Sequence, residues 1–237
     1  MWQALANLQF GAAGWGDELA RGAVVTILLA CSALPLGVLG GLGLAFASHS
    51  QRSWLSEPAA AFSGIFRGIP ELLALLLVYF GGQRVLNIAV DALGLKQAIE
   101  FNSYVAGILT LSVVFASYAS EVFLGILRTL ERSSLDAARS LGIGRWPTFR
   151  FILLPELFRL GLPGLSNLWL SIIKQSALVS VIAGAELMRV GYLAATSTRE
   201  PIFFFGVVCI FYVVLTSTSE LLLSRWHRHL SRGRQHG

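Results

Sequence analysis

The stretch DAARSLGIGRWPTFRFILLP, residues 136–155, is a short basic polar segment that lies between two apolar runs. Residues 132–141 have the polarity and the helix-forming content of an exposed helix. Gly142 or Gly144 can supply the positive φ that ends such a helix, because glycine has no Cβ. Pro155 restricts the backbone where the following apolar helix begins. The segment therefore predicts a helix-turn-helix beside longer apolar helices.

The composition around this segment is that of a membrane protein. Of 237 residues, 55% are hydrophobic and 13% are charged, whereas about a quarter of the residues in a soluble domain are charged. A helix needs about 20 apolar residues to cross the hydrocarbon of a bilayer. We predict a single all-α integral membrane domain over residues 1–237, with five transmembrane spans and a short helix in the loop at 128–150. The spans are expected at 21–48, 58–83, 101–127, 156–185 and 201–224.

Two of these spans carry charges, and the first carries a cluster of glycines. Arg67 and Glu71 interrupt the second span, and Lys174 interrupts the fourth. Gly37 and Gly41 have the small-xxx-small spacing that lets membrane helices approach closely. The first span is therefore expected to pack tightly against another helix.

The basic residues orient the spans, because cytoplasmic segments hold the excess of Lys and Arg. With the loop at 128–150 and the tail at 225–237 inside, ten basic residues are cytoplasmic and five are outside. The N-terminus is therefore expected outside and the C-terminus in the cytoplasm. The inner group is Arg52, Arg128, Arg132, Arg139, Arg145, Arg150, Arg225, Arg228, Arg232 and Arg234, and the outer group is Arg21, Arg84, Lys96, Arg189 and Arg199.

Several classes of function are disfavoured by what the sequence lacks. It contains no GxxxxGK[ST] phosphate-binding run, so we expect that this chain does not itself hydrolyse ATP. The apolar runs hold no His cluster or HExxH pattern, so neither a metal site, a catalytic residue nor a bound cofactor is expected. The net charge of +5 is dispersed over loops and tail, which argues against nucleic-acid binding. A secondary transporter or another membrane protein is the alternative, although no internal repeat is visible.

The spacing of the polar segment resembles the EAA loop of ABC-transporter permeases. Residues 136–138, Asp-Ala-Ala, stand three residues before Gly142, and Ile152 follows after nine more. Asp136 departs from the family, which usually has Glu at this position. The aspartate retains the charge with a shorter reach.

Further segments resemble the permeases for polar amino acids. Residues 67–73, RGIPELL, are similar to their RGxPxLL segment, residues 118–123 to their Tyr-x-x-Glu stretch, and residues 174–182 continue the likeness after the loop. Gln175 departs from the family, which commonly has Asp there. The acid at Glu71 resembles the Q-type subunits of histidine, lysine-arginine-ornithine and opine importers.

This resemblance implies the permease subunit of a binding-protein-dependent ABC importer in the bacterial inner membrane. The expected substrates are polar, cationic amino acids or opines. The expected partners are a periplasmic solute-binding protein, an ATPase dimer that holds ATP and Mg²⁺, and a second permease subunit. That second subunit is either a related M-type chain or another copy of this one, and membrane lipid surrounds the pair.

The resemblance assigns ATPase coupling to the polar loop. A short helix tied to membrane spans at both ends can insert in a groove of a partner and transmit a rigid-body movement. An amphipathic connector that only seals two helices is the alternative. Two small alanines are expected to permit close approach, and two arginines to face solvent or the partner. The coupling residues are expected to be Asp136, Ala137, Ala138, Arg139, Gly142 and Arg145.

The candidate residues for the substrate pathway are Arg67, Pro70, Glu71 and Glu121, and Glu71 is the one expected to meet a cationic group. A carboxylate within a span is costly and usually faces a cavity or a partner. Pro70 permits a break in the helix beside it. Glu71 is therefore expected either to meet a cationic group of the substrate or to pair with Arg67 one turn earlier.

Three further charged residues lie within or at the ends of predicted spans. Glu121 is expected to line the pathway or to pair with Arg128 or Arg150. Lys174 is expected to pair with a carboxylate of another helix or to snorkel, with gating as an alternative. Glu186 is expected to contact the binding protein or to be a plain interfacial carboxylate.

Overall fold

The computed structural model describes residues 7–11, 14–93, 100–130, 138 and 140–232. Within these ranges the chain is helical and contains no strand, which confirms the all-α prediction. A π-helical turn covers Phe149–Leu153, and a 3₁₀ segment covers Ser176–Ile182. The α-helices of the described ranges are α1 (Gly16–Ser48), α2 (Ser53–Gly68), α3 (Glu71–Ala92), α4 (Ser103–Leu130), α5 (Arg145–Thr148), α6 (Leu154–Gln175), α7 (Leu187–Thr198) and α8 (Pro201–Arg232).

Among the residues that the structure describes, five helical stretches are long and apolar enough to cross a membrane, as predicted. The first and third lie close to their predicted positions. The second differs, because the predicted span at 58–83 is divided between α2 and α3. The candidate spans are Gly16–Ser48, Glu71–Ala92, Ser103–Leu130, Trp146–Ile182 and Pro201–Arg225.

Pro70 divides the predicted second span. Its ψ of 136° is extended, and the new helix begins at Glu71 directly after it. Proline disfavours the helical conformation of the residue before it and has no amide hydrogen to donate. The carboxylate of Glu71 lies in the first turn of α3, where the helix dipole favours negative charge. The crossing helix is therefore Glu71–Ala92 instead of 58–83.

Pro155 does not mark the beginning of the fourth span, contrary to our prediction. The helical stretch begins at Trp146, ten residues before the predicted start at 156. In the turn before this proline, the amide of Leu154 donates to the carbonyl of Phe149, five residues back. Such π-type bonding allows a helix to continue where the regular pattern is interrupted. Pro155 thus lies inside a continuous helical stretch.

The chain forms two compact units, and the first contains residues 1–35, 69–112 and 171–218. Its core packs the beginning of α1 against α7 and α8. Asn102 begins α4 by accepting hydrogen bonds from the amides of Tyr104 and Val105, at 2.8 and 3.3 Å. The buried core residues are Leu19, Ala23, Leu187, Val190, Ala194, Ala195, Phe204 and Val208.

The second unit contains residues 36–68, 113–170 and 219–237. Here α1 and α4 approach closely at glycines. A Cβ at Gly37 would lie 2.7 Å from the Phe115 side chain, and one at Gly41 would lie 2.7 Å from the Cβ of Ala119. The prediction that Gly37 and Gly41 allow tight packing is confirmed, and α4 is the helix that they contact.

Candidate functional site

The polar segment contains the predicted turn at Gly142. Its φ is +69°, and the amide of Ile143 donates to the carbonyl of Ala138 at 3.0 Å. Helices commonly end in this way, with a glycine in the left-handed conformation and a hydrogen bond from the next residue's amide to a carbonyl five residues earlier. The prediction for Gly142 is confirmed, whereas Gly144 is not among the described residues with positive φ.

The other predicted coupling residues have different outcomes. Asp136, Ala137 and Arg139 lie outside the described residues, and Arg145 begins α5. Ala138 is only 3% exposed. Its methyl group therefore packs inside this chain and does not offer a surface for close approach by a partner, contrary to our prediction.

The residues after the turn are anchored to the rest of the second unit. Thr148 donates to the carbonyl of Gly144 through its amide and through its hydroxyl, at 3.1 and 2.9 Å. The Phe149 ring stacks on Trp146 at 5.7 Å and contacts Phe46 of α1 at 5.5 Å. The segment therefore contacts α1 through the Phe149 and Phe46 rings and continues along the chain into α6.

The same segment exposes large apolar side chains that our sequence analysis did not identify. Leu141 is 78% exposed, Trp146 70% and Phe151 75%. Leu141 precedes the candidate span that begins at Trp146, whereas Trp146 and Phe151 lie within its first turns. Apolar side chains with this exposure mark a contact with lipid or with another protein. The sequence did contain an indication of this exposed apolar surface, because a leucine and a tryptophan lie within the basic segment. We call residues 140–151 the coupling segment.

Glu71 accepts a hydrogen bond from an amide and not from Arg67. The Nε2 of Gln175 donates to its Oε1 at 2.8 Å, and both side chains are half-buried. The predicted ion pair between Arg67 and Glu71 is therefore not observed, and Gln175 is the partner of Glu71 instead. Gln175 carries no charge, so the negative charge of Glu71 is not neutralised by this contact.

Arg67 and Glu121 form an ion pair in the second unit. The Nη2 of Arg67 lies 3.0 Å from the Oε1 of Glu121, and its Nε donates to the carbonyl of Ser63 at 3.1 Å. The Ser120 hydroxyl donates to the Ser63 hydroxyl at 3.1 Å. These contacts join α2 to α4. The predicted partners of Glu121, Arg128 and Arg150, were wrong.

Exchanging the two charges of this ion pair tests whether it holds α2 on α4. Arg67→Glu or Glu121→Arg alone is expected to lower the thermal stability of the purified complex, because each places like charges together. The double variant is expected to recover most of the loss. A partly exposed pair contributes only about 0.2–1 kcal/mol. Additive losses measured in the double variant would contradict this interaction.

Glu186 is buried and not interfacial, so both alternatives of our prediction were wrong. It is 0% exposed. Its carboxylate accepts from the amides of Met188 and Arg189 at 2.8 and 2.9 Å and so begins α7. Burial raises the pKa of the Glu186 carboxyl, and the hydrogen bonds that it accepts act in the opposite direction. Its carboxylate is therefore enclosed by this chain.

Two hydroxyls complete the surroundings of Glu186, and our sequence analysis missed both. Thr26 of α1 donates to its Oε2 at 3.3 Å, and Tyr212 of α8 donates to the same oxygen at 3.0 Å. The carboxylate therefore joins α1, α7 and α8. A polar side chain in an otherwise apolar span was the available signal, because such groups usually bond another helix.

Lys174 faces a groove of about 410 Å³ in the first unit. Its side chain is exposed, and it makes no ion pair with any residue that the structure describes. The predicted pairing with a carboxylate from another helix of this chain is therefore absent from those residues. The groove is lined by Lys174, Ala177, Met188, Phe205, Val208, Cys209 and Tyr212. Within the described ranges no group of three or more His, Cys, Asp or Glu is placed to hold a metal.

Known relatives cover nearly the whole chain. The family model for binding-protein-dependent transport system inner membrane components matches residues 13–236. The chain is 35% identical over 230 residues to the nopaline transport system permease protein NocQ of Agrobacterium fabrum, covering 97% of this chain and 98% of that protein. It is 37% identical over 221 residues to the histidine/lysine/arginine/ornithine transport system permease protein HisQ of Salmonella typhimurium, covering 93% and 96%.

Solved structures agree in fold. The chain of an amino acid ABC transporter crystallised with histidines has a TM-score of 0.76 and 27% identity, over 91% of this chain and 95% of that one. An inward-facing MetNI methionine ABC transporter has a TM-score of 0.69 at 20% identity, over 89% and 95%, which shows the fold alone. The alternative of a secondary transporter is therefore set aside. The chain belongs to the family of binding-protein-dependent transport system inner membrane components and is a multi-pass permease subunit of an ABC transporter.

Proposed function

We propose that this subunit translocates cationic amino acids or opines and that Glu71 contacts their positive charge. One observation carries the proposal: a half-buried carboxylate stands at the break between α2 and α3, bound to the neutral amide of Gln175. Carboxylates within membrane proteins usually face a cavity or a partner. A guanidinium or ammonium group can replace or join the amide with a stronger, charge-assisted hydrogen bond. Relatives named for nopaline and for histidine, lysine, arginine and ornithine support this substrate class.

The coupling segment is the proposed contact for a separate ATPase. Its apolar side chains Leu141, Trp146 and Phe151 are exposed. Its backbone is held by the Gly142 turn and by the Phe149 contact with α1. A rigid element with an exposed apolar face is suited to a groove on a partner.

The proposed assembly places this subunit beside a related M-type permease subunit, with two ATPase subunits that bind ATP and Mg²⁺. The solute-binding protein delivers substrate at the periplasmic face. The N-terminus is placed in the periplasm and the C-terminus in the cytoplasm by the excess of basic residues. In this arrangement the chain contributes half of a pathway and one coupling segment, and hydrolyses no ATP itself.

The proposed transport cycle follows from these contacts. Closure of the ATPase dimer on ATP moves the coupling segment. The ring contact between Phe149 and Phe46 passes the movement to α1, and the helical connection passes it to α6. The spans then change between outward and inward openings, as packed helices do when they shift as rigid bodies.

Glu71→Gln tests the role of the charge. The substitution preserves a side chain of the same size that still bonds Gln175, but it removes the negative charge. A hydrogen bond to a charged group contributes about 1.5–3 kcal/mol, which corresponds to roughly 10- to 100-fold in transport of a cation. Uptake of radiolabelled arginine, histidine and nopaline by reconstituted complex with its binding protein is the measurement.

Asp91→Asn is the matched control, because Asp91 is an exposed carboxylate at the other end of α3. It is expected to leave uptake unchanged. ATP hydrolysis stimulated by liganded binding protein is measured for both variants to exclude a defect in assembly. Unchanged cation uptake by Glu71→Gln, or better transport of a neutral amino acid than of every cation by the wild type, would contradict the proposal.

A further inference from the structure

Gln175 brings a second polar side chain to the carboxylate of Glu71. Its Nε2 donates to the Oε1 of Glu71 at 2.8 Å, although the two residues are 104 positions apart in the sequence. Glu71 begins α3, and Gln175 is the last residue of α6. Both side chains are half-buried, so part of each remains accessible to a ligand. The carboxylate that carries the proposed function is therefore one half of a polar pair.

The backbone on each side of this pair is held by buried neighbours. Ala74 and Leu75 follow Glu71 along α3 and are 1% and 2% exposed, and Ser176 directly follows Gln175 and is fully buried. The Ser176 hydroxyl donates to the carbonyl of Ile173 at 2.7 Å. A side chain on a packed backbone loses less freedom when a ligand binds, which favours binding. The pair is therefore preorganised.

The direction of the hydrogen bond determines what the pair offers to a ligand. An ionised carboxylate can only accept, so the NH₂ end of the Gln175 amide faces Glu71. The carbonyl end of the same amide is an acceptor, and the carboxylate keeps further lone pairs. The pair thus combines acceptors from two side chains with one negative charge. A guanidinium matches it, because this cation presents several N–H donors in a fixed fork and no acceptor.

We propose that Gln175 is a second substrate contact, and that its carbonyl and the Glu71 carboxylate together accept hydrogen bonds from a guanidinium group of the substrate. The inference rests on the proposed function, in which Glu71 meets the positive charge, and adds the residue that shares this contact. A site that bonds N–H groups with buried acceptors disfavours a ligand that lacks those donors. Gln175 is therefore a specificity-determining residue.

Exchanging the two side chains tests whether they act as one site. The double variant Glu71→Gln/Gln175→Glu retains one carboxylate and one amide in the same contact, with their places reversed. Glu71→Gln alone is expected to lose arginine uptake by roughly 10- to 100-fold, and the exchange is expected to restore it to within about threefold of the wild type. Uptake is measured in the reconstituted complex at saturating liganded binding protein, so that the affinity of this protein for arginine does not limit the rate.

A carboxylate at a neighbouring position is the control for the exchange. Leu72 is 38% exposed and follows Glu71 directly. Successive residues of a helix do not face each other, so Glu71→Gln/Leu72→Glu returns the charge to α3 but not to the contact with Gln175. This variant is expected to transport as poorly as Glu71→Gln. Equal recovery from both positions, or no recovery after the exchange, would overturn the proposal.

Removing the amide gives an independent test. Gln175→Met preserves the length of the side chain but removes its donor and acceptor, and it is expected to lower arginine uptake about tenfold. Gln83→Met is the matched control, because Gln83 is also half-buried and its Nε2 donates to the Oδ1 of Asn87 at 2.8 Å. It is expected to transport normally. Stimulated ATP hydrolysis shows that both variants assemble, and wild-type uptake by Gln175→Met would contradict the proposed contact.

The proposed function and the role of Gln175 fail in different ways. If the proposed function were wrong, Glu71→Gln would transport arginine as well as the wild type does. If only the role of Gln175 were wrong, Glu71→Gln would lose uptake, but neither the exchange nor Gln175→Met would have the expected effect.

Discussion

Replacing Gly142 with valine is expected to reduce ATP-driven uptake at least tenfold while the protein remains in the membrane. Gly142 has a φ of +69° and ends the helix before the coupling segment. The left-handed conformation costs an L-residue about 1–2 kcal/mol, and a β-branched side chain is a genuine outlier there. The turn must therefore rearrange, and with it the face that carries Leu141. Uptake and ATP hydrolysis are measured in the same reconstituted complex.

The chain offers two controls for this substitution. Gly144→Ala adds a Cβ whose nearest neighbour is the Cδ of Pro147 at 3.6 Å, an ordinary contact, so it is expected to transport normally. Gly142→Asn is expected to retain more activity than Gly142→Val, because asparagine tolerates the left-handed region. ATP hydrolysis that continues without uptake would indicate uncoupling. Normal uptake by Gly142→Val would reject the coupling assignment.

Glu186→Ala is expected to destabilise the subunit more than any other single carboxylate substitution proposed for it. The change removes the cap of α7, which costs about 1 kcal/mol. It also leaves the buried hydroxyl of Thr26, and that of the half-buried Tyr212, without their acceptor, at about 1–3 kcal/mol for each unsatisfied buried group. A total of about 3 kcal/mol or more should lower the unfolding midpoint of the complex by on the order of 10 °C. Thermal unfolding of the purified complex is the measurement.

Two substitutions separate this effect from a simple loss of charge. Glu186→Gln preserves the size and one acceptor oxygen and is expected to lose less stability than Glu186→Ala. Glu220→Ala removes an exposed carboxylate from α8 and is expected to leave the midpoint within about 0.5 kcal/mol of wild type. Equal stability of Glu186→Ala and Glu220→Ala would contradict the role of the buried network.

Local sequence was sufficient for the number of spans and for the Gly142 turn, but not for the bounds of the second and fourth spans. Runs of apolar residues determine which segments can cross a bilayer, since each span must satisfy its own backbone. The turn depends on the conformation of one glycine and on bonds to residues within six positions. Local sequence also contained the break at Pro70, although we extended the second span across it. The sequence shows that Pro70 directly precedes Glu71. We nevertheless predicted one long helix, because apolar residues continue on both sides of this proline.

Side-chain partners could not be derived in the same way. Glu71 is bound by a residue 104 positions away, and Glu186 by a residue 160 positions away. We expected Arg67 to pair with Glu71 because they are one turn apart, but the chain breaks between them at Pro70 and Arg67 pairs with Glu121. Spacing along a helix predicts contacts only while the helix continues.

The sequence by itself determined a membrane protein with five apolar spans, a helix ending at Gly142 and close packing through Gly37 and Gly41. These features follow from composition, spacing and glycine conformation, which act over a few residues. Only the tertiary structure decided that Glu186 is a buried cap, that Gln175 holds Glu71 and that Lys174 faces an open groove. The reason is physical: a charge buried in a bilayer is stabilised by whichever groups the packed helices bring to it, and these groups are distant in sequence.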